Sequence, residues 1–132
     1  FKCRAEGRRN LHARLVDAHP QSDERPDGAA INIAHGLLRL RYRNSWTEPE
    51  LMTPGTVYPI SIRLTPTANR FRTGHRLRIM VSGSSFPHYD ANPNTGEAQG
   101  PTEKVRVATN QIHFGGMHRS WLDIPTAFAL ER

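Results

Sequence analysis

Apolar and polar residues alternate along most of this chain, and a period of two recurs in six short segments. In "LHARLVDAHP" the residues Leu11, Ala13 and Leu15 fall on one face, and in "HGLLRLRYRN" Leu38, Leu40 and Tyr42 oppose Arg39, Arg41 and Arg43. "VYPISIRL" sets Tyr58, Ile60, Ile62 and Leu64 against Val57, Pro59, Ser61 and Arg63, while "HRLRIMVS" sets Leu77, Ile79 and Val81 against Arg76, Arg78 and Met80. Further on, "NQIHFG" aligns Ile112 with Phe114, and "SWLDIP" aligns Leu122 with Ile124. Each segment has the pattern of a half-buried strand, and "HRLRIMVS" reads as a core strand with arginines outside.

Turn residues punctuate these segments: "RPDGAA", "TPGT", "ANRFRTGH" ending at Gly74, and "DANPNTG". The one helix-like piece is "SWTEPELM", where Pro49 limits any helix to about one turn. Pro59 removes a ladder donor, so its strand is expected at a sheet edge or to start at Ile60. Short strands between Gly and Pro turns predict an all-β fold, a jelly-roll-like β-sandwich. The count of six or seven strands falls short of the eight of a complete jelly roll. The missing strands are expected before Phe1, and an open sheet edge would permit homo-oligomers.

With 132 residues, one domain suffices. The opening "FKCRAEGRRN" is neither signal peptide nor anchor, and the chain reads as cut from something longer. No apolar run is long enough to span a membrane. Cys3 is the only cysteine, which excludes an internal disulfide or a thiolate metal cluster and leaves the compartment open, with the cytoplasm favoured. The formal net charge of +6 makes nucleic acid the first partner to weigh. The arginines, however, are dispersed through strands opposite apolar residues. Their stems would cover sheet surface or a neighbouring domain, so no nucleic-acid partner is expected.

Candidate chemistry centres on "SGSSFPHYDANPNTG", where Ser84, Ser85, His88 and Asp90 crowd together. A serine hydrolase needs a G-x-S-x-G strand-to-helix elbow, which this is not. Turn and capping roles suit Asp90, Asn92, Asn94 and Gly96 better. The same oxygens faintly resemble a calcium loop, but its twelfth position counted from Asp90, normally a bidentate Glu, is Pro101. Seven histidines are many for this length. Yet His12 and His19, His75 and His88, and His113 and His118 lack i, i+4 or i, i+2 metal-ligand pairing. "GRRN" and "NTGEAQG" lack the P-loop Lys-Ser/Thr. No catalytic, metal or cofactor-binding residue is therefore assigned.

Read together, "ARLVDAHP", "PDGAAINIAHGLLRLRYRNS", "PGTVYPISIRLTPTANRFRTGHRLR" and "SSFPHYDANPNTG", closed by "ATNQIHF" and "RSWLDIP", resemble the C-terminal domain of CocE/NonD hydrolases. That family includes cocaine esterase, α-amino acid ester hydrolases and X-prolyl dipeptidyl aminopeptidase. The resemblance covers about residues 11 to 125. It leaves residues 1–10 unmatched and makes 11–132 a partial, galactose-binding-like jelly roll, with "QSDERPDG" a longer loop than usual. It implies a parent whose α/β-hydrolase domain carries the Ser-His-Asp triad and is topped by a helical cap. The chain itself would be a non-catalytic module packing on those two domains and shaping the active site, with "SSFPHYD" and the arginines at the contact. The rival expectation is a carbohydrate-binding module in which Trp46, Tyr89 and Trp121 stack on sugar rings.

Overall fold

A computed structural model describes residues 1–6, 10–97, 103–107 and 109–126. The six strands among them form two antiparallel three-stranded sheets. One sheet runs in the order β4 (Tyr58–Ser61), β1 (Lys2–Glu6), β6 (Gln111–His113), and the other β3 (Ala29–Arg39), β2 (Asn10–His19), β5 (Arg76–Ser82). The chain is thus an all-β sandwich.

Its core comes from both sheets and the segments joining them: Cys3, Leu11, Ala13, Leu40, Met52, Ile60 and Ile62, flanked by Leu38, Tyr58, Leu64, Val81 and Ile112. At about 25 cal/mol per Å² of apolar surface, each of the larger aliphatic side chains contributes roughly 1.5–3 kcal/mol by burial. Cys3 lies in this cluster, and burial raises its thiol pKa. A thiol so placed behaves as a small apolar side chain.

The alternation in "LHARLVDAH" understates how deeply its strand is buried. Leu11, Ala13 and Leu15 face the core as expected, but Asn10, His12 and Val16 are buried as well. The cause is a second cover. The loop after β5 folds back over the opposite face of β2, with Tyr89 against the rings of His12 and His35 and the Asn92 Nδ2 donating to Asn10 Oδ1 at 3.0 Å. Strand β2 is therefore central within its sheet and covered on both faces.

The pairing of β2 with β3 runs antiparallel from Asn10↔Arg39 to His19↔Ala29 and slips between Leu15↔Ala34 and Val16↔Asn32. Ile33 is the extra residue of a β-bulge, which locally increases twist. Farther along, Gly36 lies opposite Ala13. A Cβ there would stand 2.1 Å from the Arg63 carbonyl oxygen. Glycine lets β3 touch the chain leaving β4, an approach sealed by Thr65 N–H donating to the His35 carbonyl at 2.8 Å and His35 N–H donating to Thr65 Oγ1 at 3.2 Å.

Several expectations need correcting. "HRLRIMVS" is an edge strand among the described residues, not a core strand: Leu77 is 45 % exposed, while Arg76, Arg78 and Met80 face outward as their shared face implies. "RLRYR" leaves strand geometry at Leu40–Tyr42, a 3₁₀ turn that buries Leu40. Arg43 then turns inward. Its side chain is only 3 % exposed, stacked 4.5 Å over Tyr58, donating to the Leu40 and Glu50 carbonyls and paired with the Glu50 carboxylate. "SWTEPELM" forms bends rather than a helical turn. Phe114 and Ile124 are exposed, and the "SWLDIP" segment makes one bridge, Lys2↔Trp121, in place of a strand. Pro59 sits in β4, an edge strand, as its missing donor requires. Most remarked of the unmatched residues, Lys2–Glu6 form the central strand of their sheet.

Candidate functional site

A cleft of about 550 Å³ opens where β3 meets the chain leaving β4. His35, Gly36 and Leu38 of β3 form one wall and Ile62 to Pro66 the other. Tyr42 to Trp46 close one end, and Tyr89 enters from the loop after β5. The Arg43 clamp and an Asn44 Nδ2–Glu50 Oε2 hydrogen bond of 2.7 Å fix the turn that carries Trp46. The tryptophan ring itself is 89 % exposed. Ser45 caps this bend, its hydroxyl accepting from the N–H groups of Thr47 and Glu48. A rigid turn thus presents a large aromatic ring to solvent beside a cleft with aromatic and polar lining.

Beneath the cleft lies a second cluster. His12 is buried, 5.6 Å from His35 and 5.9 Å from Tyr89 by ring centroid, and among the described residues neither of its nitrogens has a hydrogen-bond partner. Burial lowers its pKa below the ordinary 6.5, with the Arg14 charge acting in the same direction. Both effects favour the neutral imidazole.

Hydrogen bonds within the crowded Ser, His and Asp segment run to the backbone. Ser82 Oγ donates to the Ser84 carbonyl at 2.9 Å and Tyr89 N–H donates to the Ser85 carbonyl at 3.1 Å. Among the described residues no hydrogen bond joins His88 to either serine or to Asp90. The asparagines act as turn residues: Asn92 Oδ1 accepts from Asn94 N–H at 2.9 Å, Asn94 has a φ of +60°, and its Nδ2 donates to the Arg106 carbonyl at 2.9 Å. Pro101, the twelfth position of the calcium-like loop, lies outside the described residues.

The histidines do pair, though not with the partners their order in the chain offered. His19 stacks on His75 at 4.1 Å, His12 meets His35, and only His113 and His118 join as near neighbours in sequence, at 5.1 Å. Asp17 lies between His19 and His75, a cluster that reading one segment at a time missed because His75 arrives from the turn before β5. The Asp17-x-His19 spacing, which puts two side chains on one face of a strand, was the available signal. Trp121 borders a separate pocket with Met117, so it shares no face with Trp46 and Tyr89.

Two antiparallel three-stranded sheets packed as an all-β sandwich define the class of fold. The chain belongs to the family described as the X-Pro dipeptidyl-peptidase C-terminal non-catalytic domain, which matches residues 2–123 and so includes β1. This is the C-terminal domain of CocE/NonD-type hydrolases. Cocaine esterase of Rhodococcus sp. (strain MB1 Bresler) is 40 % identical over 115 residues, covering 86 % of this chain and 19 % of the esterase. The crystal structure of an aminopeptidase from the marine sediment archaeon Thaumarchaeota archaeon superposes with a TM-score of 0.75 at 26 % identity, over 85 % of this chain and 20 % of the other. The selenomethionine-labelled α-amino acid ester hydrolase gives 0.74 at 26 % identity with the same coverage. The chain spans about a fifth of the length of these relatives.

Proposed function

We infer that the chain serves as the non-catalytic β-sandwich of a serine hydrolase acting on esters, amides or X-Pro peptides, packing on its α/β-hydrolase and cap domains and shaping their active site. The observation that carries this reading is Trp46, a large aromatic ring left 89 % exposed on a turn that hydrogen bonds and a buried guanidinium hold rigid. Rings presented in this way act as anchors in protein contacts. Phe86, 74 % exposed in the loop whose Tyr89 lines the same cleft, supports the reading.

Two measurements test it. Alone, the chain leaves p-nitrophenyl acetate hydrolysis at background; hydrolysis abolished by a serine-directed fluorophosphonate would overturn the non-catalytic role. Grafted in place of the matched fifth of the cocaine esterase, the chain restores esterase activity lost on truncation, and Trp46→Ser lowers it again. A soluble graft that stays inactive, or one indifferent to Trp46→Ser, would count against packing on the catalytic domains.

A second reading is a carbohydrate-binding module, favoured by Trp46 and Tyr89 lining one cleft with Arg43, Asn44 and Ser45. A glycan array without hits would end it. Homo-oligomers by edge pairing would draw on the open edges of β3 and β5, with sedimentation velocity as the check.

A further inference from the structure

At the end of β2 farthest from the cleft, three side chains of two chemical kinds converge. Asp17 and His19 are two apart on one strand and so point to the same side. His75 comes from the turn before β5, fixed by its N–H donating to the Arg72 carbonyl at 3.0 Å, while Asp17↔Leu77 and Ala18↔Arg76 lock the register of the two strands. Asp17 Oδ1 lies 2.9 Å from His75 Nδ1, and Asp17 Oδ2 lies 3.6 Å from His19 Nε2. One candidate donor atom from each residue lies within 4.8 Å of the other two.

One histidine would satisfy this carboxylate. The second is brought in at a distance too long for a hydrogen bond, with its ring stacked 4.1 Å from the first.

We propose that Asp17, His19 and His75 form a binding site for a divalent transition-metal ion, with Zn²⁺ the best match. Two imidazole nitrogens and one carboxylate oxygen are a donor set for zinc and its neighbours, and not for calcium or magnesium, which need mostly oxygen. Bond lengths of about 2.0–2.2 Å in a tetrahedron separate ligand atoms by about 3.3 Å, close to the 3.6 Å between Asp17 Oδ2 and His19 Nε2. Asn69 Nδ2, 3.4 Å from Asp17 Oδ2, supplies the outer hydrogen bond that orients a metal-binding carboxylate. Asp17 and His75 are nearly covered, whereas the His19 side chain is 29 % exposed, which leaves an open side for entry and for a water as fourth ligand. The ion would staple the end of β2 to the start of β5.

The test is calorimetric titration of the EDTA-treated 132-residue chain with Zn²⁺ at pH 7.5, with Co²⁺ absorption as a report of geometry. One equivalent is expected to bind, with tetrahedral Co²⁺ bands between roughly 500 and 650 nm and a rise in melting temperature of about 10 °C at a hundredfold excess over Kd. His19→Gln, at the most exposed ligand, and His75→Gln are each expected to weaken binding at least tenfold. His113→Ala, which breaks the other close histidine pair, is expected to leave binding unchanged. No stoichiometric binding up to 1 mM Zn²⁺, undiminished binding by a folded His19→Gln chain, or loss of binding in His113→Ala would each overturn the assignment.

Discussion

Gly36→Ala should unfold this domain more readily than its chemistry implies. A single methyl group is added in an extended strand, and with room to spare it would stabilise by about 0.4–1 kcal/mol through the unfolded chain. Here the new carbon would sit 2.1 Å from the Arg63 carbonyl oxygen and 3.0 Å from both the Arg63 carbonyl carbon and the Ile62 Cγ2. Ordinary contact for such a pair is about 3.5 Å, so the segments must part by roughly 1.4 Å. The closest neighbours are main-chain atoms, and no rotamer change relieves them.

Moving this chain strains the two hydrogen bonds between residues 35 and 65, each contributing about 1 kcal/mol, and loosens Ile62, which is 2 % exposed in the core. Overpacking itself costs about 1–3 kcal/mol. A total near 3 kcal/mol corresponds to a fall in Tm of about 10 °C for a domain of this size. Gly55→Ala is the comparison, because that site has no atom within 4 Å of the added carbon and pays only for its φ of +75°, about 1–2 kcal/mol. Differential scanning calorimetry of the two variants decides the matter: a Gly36→Ala melting point equal to or above that of Gly55→Ala would refute the clash.

Other outcomes follow from the same contacts. Ile60→Ala should cost about 2–5 kcal/mol by urea unfolding, while Leu77→Ala on the exposed edge should stay within about 1 kcal/mol; equal losses would contradict the edge placement of β5. Because the folded His12 has a lowered pKa, the unfolded chain binds the extra proton below its ordinary 6.5, so stability is full above that pH and lost as pH falls toward the folded value. His12→Phe should flatten that part of the stability profile, and a profile unchanged in shape would reject the assignment. Arg43→Lys, losing the planar stack on Tyr58 and the fork to Glu50, should cost about 1–2 kcal/mol where Arg76→Lys costs under about 0.5; thermal melts compare the two.

How much the sequence disclosed depended on whether the controlling contact was local. Alternation in "VYPISIRL" correctly placed Ile60 and Ile62 in the core, Pro59 marked an edge, and positive-φ glycines at 28, 55, 74 and 96 sit in the turns their neighbours signalled. What escaped was decided at long range. Leu77 read as equal to Leu11 and Ala13, but among the described residues β5 has a neighbour on one side only, whereas β2 has one on each side and a loop above. Arg43 continued the polar half of an alternating run, and only the 3₁₀ turn at Leu40–Tyr42 brings its stem over Tyr58. Asp17 and His19 announced a shared face, but their third partner lies more than fifty residues away.

Strand β2 also sets a timetable for the chain as it is made. Its buried residues are made before the strand that flanks its far edge, which ends at Ser82, and before the loop that covers its other face. At roughly 5–20 residues per second, the sixty-odd residues between them take on the order of 3–13 s to synthesise. For that interval the central strand of its sheet keeps one unpaired edge, and Leu11, Ala13 and Leu15 wait for the cover that later residues supply.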